Sequence, residues 1–181
     1  LSYASVDIMS FNQGYFSECI GGLVGLNKAQ ISEAYATGNV SGYGTVGGLV
    51  GENSRGGQIE YSYAMGSVKV LRNEYLYAGS FAGGNWGSIY GSYSVGKIEL
   101  PNDRDSAYLY VSGFSEGDSV NSCYWNVDLA GIDTSEVGIG LSDSAMKHLS
   151  SFVGWENMSK CNFKIEYEGS VFDIYESCDF Y

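Results

Sequence analysis

The chain has 181 residues, among them 26 glycines, 16 tyrosines and one proline, and a formal charge of −12. Its nine Lys and Arg are scattered and make no basic patch to neutralise phosphates, which excludes nucleic acid as a partner, and like-charge repulsion opposes anionic lipid. No apolar run approaches the roughly 18 residues of a membrane-spanning helix, so no membrane insertion is expected, and the length suits one domain. Abundant glycine with almost no proline fits many short strands joined by tight turns.

A phrase built on Ser-Tyr-Ala recurs from the first residues onward. It stands at Ser2-Tyr3-Ala4, Ala34-Tyr35-Ala36, Ser62-Tyr63-Ala64, Ser92-Tyr93-Ser94 and Cys123-Tyr124-Trp125, which puts the tyrosines 32, 28, 30 and 31 residues apart. Between these copies lie Gly22-Leu23-Val24-Gly25, Gly48-Leu49-Val50-Gly51, Ser80-Phe81-Ala82-Gly83 and Gly113-Phe114-Ser115-Glu116. A period of about 30 residues made of strand-like pieces and glycine turns predicts a stack of similar coils.

These residues resemble the GLUG repeat, a glycine-leucine-any-glycine motif of bacterial and archaeal surface and secreted proteins that include large adhesins. The likeness is sharpest at residues 22–25 and 48–51, fades through the next two copies and covers roughly residues 1–127. Tyr124-Trp125-Asn126, Gly140-Leu141-Ser142 and Phe152-Val153-Gly154-Trp155 resemble the segment that often closes such arrays. The resemblance implies an all-β protein, a parallel β-solenoid displayed outside the cell, with no catalytic residues to transfer. We expect four to five coils over residues 1–127 and a capping segment, a short helix plus a β-hairpin, over residues 128–181. A right-handed sense follows from the resemblance and from the usual chirality of parallel crossovers. With no signal peptide or initiator methionine, a chain that opens inside a repeat reads as a fragment or processed product of something longer.

Within a coil, period-2 alternation sets Ser62, Ala64 and Gly66 on one face and Tyr61, Tyr63 and Met65 on the other. Two assignments stand. Small residues fill a narrow interior and Tyr35, Tyr63 and Tyr93 form an outward ladder for a ligand or for assembly, or a bend after Ile31, Ile59, Ile89 or Val120 switches parity and turns the tyrosines in. Leu23, Leu49, Phe81 and Phe114 are expected to form one buried apolar column. Asn27, Asn53 and Asn85 follow it at a constant offset, suited to a corner because asparagine tolerates left-handed backbone and bonds its own turn.

Farther along, residues 99–106 and 127–134 are polar and read as solvated loops. Neither has the ligand spacing of an EF-hand, so calcium is not expected. Leu141 to Leu149 carries a Ser or Asp cap and apolar spacing suited to one short helix. Residues 161–178 read as a hairpin turning at Gly169-Ser170, which sets Cys161 opposite Cys178, Ile165 opposite Ile174 and Tyr167 opposite Phe172. Such cysteines would meet at a non-hydrogen-bonded pair, so a Cys161–Cys178 disulfide is expected, and with it an oxidising compartment. Cys19 and Cys123 lie several coils apart, beyond disulfide reach, and are expected as buried thiols.

Enzyme chemistry finds little to use. The acidic residues fall mainly in turns, His148 is the lone histidine and stands outside any catalytic motif, and Cys-x-x-Cys is absent. The sequence therefore reads as a noncatalytic, extracellular, adhesin-like or filament-forming module without cofactors. Its expected partners are preceding repeats or like subunits at the edge of the first coil. A carbohydrate-binding or carbohydrate-active β-helix, with surface glycans on the tyrosines, is the alternative.

Overall fold

The structure, a computed structural model, describes residues 2–11, 18–71, 76–101, 109–155, 164–167 and 170–173. It is a parallel β-solenoid of about four turns, each turn made of five short strands. Coil one holds β1 (Ser2–Ala4), β2 (Ile8–Met9), β3 (Cys19–Gly21), β4 (Val24–Asn27) and β5 (Gln30–Ser32). Coil two holds β6 (Ala34–Ala36), β7 (Val40–Gly42), β8 (Thr45–Gly47), β9 (Val50–Asn53) and β10 (Gln58–Glu60). Coil three holds β11 (Tyr63–Ala64), β12 (Val68–Val70), β13 (Leu76–Gly79), β14 (Ala82–Asn85) and β15 (Ser88–Tyr90). Coil four holds β16 (Tyr93–Ser94), β17 (Ile98–Glu99), β18 (Leu109–Ser112), β19 (Glu116–Gly117) and β20 (Val120–Asn121).

Equivalent strands pair parallel, so each sheet stacks like on like. Tyr3, Tyr35, Tyr63, Tyr93 and Tyr124 share one register. Ile31, Ile59, Ile89 and Val120 share a second, and Ile8, Val40, Val68 and Ile98 a third. The unequal spacing of the tyrosines is absorbed largely at one corner, between the second and third strands of each coil. That corner is shortest between Gly42 and Thr45 and longer between Val70 and Leu76.

A bend does precede each tyrosine strand, but it keeps the tyrosines outside instead of turning them in. Glu33, Tyr61, Gly91 and Ser122 occupy this corner in successive coils with φ of 52°, 50°, 56° and 51°. A left-handed residue at this corner allows Ile59 and Ser62, three positions apart, both to be buried. Tyr63 then lies outside and Ala64 inside. The left-handed corner is thus not at the asparagines. Asn27, Asn53 and Asn85 end β4, β9 and β14 in extended ladders; Asn27 also bonds its own turn, accepting from the Ala29 amide at 3.1 Å, and Asn53 donates to the Gly57 carbonyl of its turn at 3.4 Å.

The interior is thin, and this explains the first glycine of each core motif. A Cβ at Gly22 would collide with the Gly48 carbonyl and crowd Ala36, and one at Gly48 would collide with the Ser80 carbonyl and press on Ala64. Ser80 faces Ser94 at the next level, the hydroxyl oxygens 2.5 Å apart. At the last level the pattern changes: Trp125 takes the register of Ser94, and its indole lies over Gly113. Trp125 fills the space that small residues leave elsewhere. Beside this seam runs the apolar column, with Leu49, Phe81 and Phe114 fully buried and Leu23, in the first coil, half-buried against them. Their backbones join coil to coil, from the Leu23 amide to the Leu49 carbonyl, from Leu49 to Phe81 and from Phe81 to Phe114.

After β21 (Tyr124–Asn126) come a helical turn, α1 (Val127–Ala130), and β22 (Ile139–Leu141), which pairs parallel with β21 as a sixth strand of the tyrosine sheet. Residues 127–130 were expected in a loop. Asn126 caps them instead, its side-chain oxygen accepting from the Asp128 and Leu129 amides at 3.0 Å each, and Gly131 ends the turn at φ 75°. The helix expected over 141–149 is replaced by two 3-10 turns, Ala145–Lys147 and Leu149–Ser151. Leu141 is already spent in β22, and His148, extended at φ −123° and ψ 120°, stops the run. The hairpin consists of β23 (Lys164–Tyr167) and β24 (Ser170–Asp173), with Ile165 opposite Phe172 and Tyr167 opposite Ser170. This register is two residues from the expected one, because Ser170 belongs to the strand and not the turn; a shift of two keeps each residue's face. Cys161 and Cys178 lie outside the described residues, as do residues 102–106 of the first expected loop.

Candidate functional site

The tyrosine sheet presents the most regular surface of the molecule. Tyr3, Tyr35, Tyr63 and Tyr93 stack with ring centroids 5.1, 4.8 and 5.1 Å apart and planes within 9° of parallel. This geometry follows from the parallel register, which repeats each side chain one strand spacing along the axis. Stacking has a chemical consequence: each inner ring gives both faces to its neighbours. Only edges and hydroxyls along Tyr35 and Tyr63 remain for a partner, and Tyr3, 64% exposed, keeps its outer face.

Tyr93 does not belong to an exposed ladder. It is fully buried, as is Tyr124, because the C-terminal segment folds onto this half of the sheet. Phe152 meets Tyr124 edge-on at 4.9 Å, Trp155 lies 6.1 Å from Tyr93, and Met146 joins the same cluster. The Tyr124 hydroxyl donates to the Val153 carbonyl at 2.6 Å, and the Trp155 indole nitrogen donates to the Ser122 carbonyl at 2.8 Å. Burial pushes the Tyr93 phenol well above its ordinary value, with Tyr63 adding to it. Sequence periodicity did not reveal this cover, since the covering residues occur once.

A second ladder lies inside. The Asn27 amide donates to Asn53 Oδ1 at 2.8 Å, Asn53 donates to Asn85 Oδ1 at 2.7 Å, and Asn85 donates to the Asp118 carbonyl. All three side chains are buried, so the row satisfies polar groups that would otherwise be costly.

Cys19, half-buried, donates from its thiol to Glu52 at 3.6 Å, and burial together with that carboxylate pushes it up to about 11. Burial pushes the Cys123 thiol up to about 12, and its sulfur donates to the Asn121 carbonyl at 3.3 Å. Both are free thiols. His148 is exposed between the two 3-10 turns. Among the described residues no group of three His, Cys, Asp or Glu side chains is placed to hold a metal ion.

Residues 16–41 and 42–69 match the family model of the GLUG motif, each match spanning one circuit of the solenoid. Two adjacent coils are GLUG motifs. No curated protein and no solved structure matches the chain. The GLUG glycines sit at close approaches of the backbone. Gly22 and Gly48 face the small residues across the interior, while a Cβ at Gly25 or Gly51 would strike the backbone of the third strand at Cys19 or Ile20. The motif's leucine supplies the apolar column between them. The worn copies at 80–83 and 113–116 keep an aromatic residue in that column, with Phe81 and Phe114 stacked at 4.7 Å.

Proposed function

We propose that this chain is a noncatalytic, adhesin-like structural module of the cell surface or extracellular space. The observation that carries the reading is the use made of its recurrent asparagines: the Asn27–Asn53–Asn85 row bonds coil to coil and spends these amides on the stack itself. The partners in this reading are coils of the same kind, preceding repeats or like subunits, at the edge of coil one. Tyr3, Val6, Met9, Phe11 and Leu26 are exposed there, and Ser41 and Glu52 take the registers of Met9 and Leu26 in coil two. Apolar surface of this kind, bordering unpaired strand edges, favours association. Ring stacking along the tyrosines argues against a sugar platform, which needs open ring faces.

Sedimentation of the chain across protein concentration tests this reading. Association that rises with concentration and is lost in Tyr3→Asp or Ile8→Asp supports it. A chain that stays monomeric at high concentration, alone and when mixed with other GLUG coils, overturns the assembly role.

A further inference from the structure

Residues 133–137 cross the C-terminal edge of coil four and take the place of a next coil. The Gly113 amide donates to the Thr134 carbonyl at 2.9 Å, the Phe114 amide to Ser135 Oγ at 2.9 Å, and the Gly117 amide to Glu136 Oε2 at 2.9 Å. In return the Glu136 amide donates to Ser112 Oγ at 2.8 Å, and Ser115 forms a bridge with Val137. Edge groups that a further coil would bind are thus bound by a strap. Beneath it lies Glu116, 8% exposed, whose Oε1 accepts from Ser112 Oγ at 2.5 Å, so the two acids meet around Ser112 and Gly117, which also hold Glu136. Two carboxyl groups gathered this closely, one of them buried, favour holding a proton over carrying two charges.

We propose that Glu116 and Glu136 form a proton-held latch that fastens residues 133–137 over the C-terminal edge of the solenoid. The surroundings define its sign. Glu136, on the strap, is the ionisable group brought to Glu116 through Ser112 and Gly117. The supporting strand β14 offers only Ala82, Gly84 and Asn85 around Gly83, β18 contributes Ser112 and the exposed Tyr110, and the flanking acids Asp118 and Asp133 are solvent-exposed. Burial first, then the Glu136 carboxyl, raises Glu116 to about 7, while Glu116 and the Gly117 amide lower Glu136. A group whose value is raised in the closed state favours closure in full below its ordinary carboxylate range and loses that contribution as pH rises through about 7. Above that, a buried Glu116 carboxylate faces the carboxylate of the exposed Glu136, and the strap loosens.

The test uses the full chain. Amide hydrogen exchange, corrected for intrinsic rates, is followed at Gly113, Phe114 and Gly117 from about pH 6 to about pH 8.5, alongside the NMR titration of the Glu116 carboxyl carbon. The expected result is a midpoint near 7 and a loss of protection at these amides of about tenfold over that range. In Glu116→Gln, whose amide donates where the proton did, protection persists at high pH. Glu136→Gln removes the facing charge and is expected to do the same, so a poorly folded first variant leaves the question decidable. Titration of Glu116 in the ordinary carboxylate range, or a wild-type pH dependence that survives in both variants, overturns the latch.

Discussion

Tyr3 and Tyr124 occupy the same register of the same sheet, four coils apart, and meet opposite environments. Tyr3 is mostly exposed, whereas Tyr124 is 1% exposed beneath Phe152, Trp155 and a hydrogen bond to Val153. The residue type and its strand are the same; what differs is a non-repeating segment of about 30 residues. A repeat sets where a side chain points, and the unique sequence around it decides whether that side chain becomes core or surface. The tyrosine row is therefore an interior at one end and an open flank at the other.

Substitution at the two ends gives the largest contrast. Tyr124→Ala is expected to cost about 3–5 kcal/mol in denaturant unfolding, the range for truncating a large buried aromatic, and Tyr3→Ala less than about 0.5 kcal/mol. Equal losses would mean that the cap adds nothing to the ladder. Breaking the inner row comes next: Asn53→Ala removes its bonds to the Asn27 and Asn85 side chains and to the Gly57 and Ser88 carbonyls, for an expected loss of about 1–3 kcal/mol. An Asn27→Ala loss well below that of Asn53→Ala would follow from its place at the open end, and the difference is readable in parallel melts.

Thiol chemistry offers a finer probe. At about pH 8, Cys123 is expected to resist alkylation in the native chain and to react on unfolding, because burial raises it to about 12, and Cys19 to react slowly. Mass spectrometry after timed quenching distinguishes the two, and fast labelling of native Cys123 would show that the covered end opens readily. The smallest effect is expected for Tyr35→Phe, which keeps the stacked rings and removes only a hydroxyl, within about 0.5 kcal/mol of wild type.

Much of the solenoid was legible because its contacts join a residue to its own copy. Leu49 and Phe81, or Asn53 and Asn85, stand about one period apart in sequence and neighbour each other in space, so reading the period reads the contact. The bend before each tyrosine was legible as an option, yet its position at Glu33, Tyr61 and Ser122 was not, since these residues have little intrinsic taste for left-handed backbone. The signal for α1 was present, an asparagine five residues before a glycine, and the polar loop composition hid it. The cover over Tyr93 could not be read from the repeat, because Trp155 and Phe152 have no counterpart one period away. The same holds for the Glu116–Glu136 pair, a contact between a worn repeat and a unique strap.

The Asn row and the backbone bonds between coils run along the axis of the stack, and this bears on how the molecule answers a pull. Tension applied from end to end loads every coil interface in series, so each carries the same force and the weakest parts first. The covered end is reinforced by an aromatic clamp, while the first interface relies on short strands and a half-buried Leu23. Under load, the contact between coil one and coil two is expected to part before those nearer the clamp.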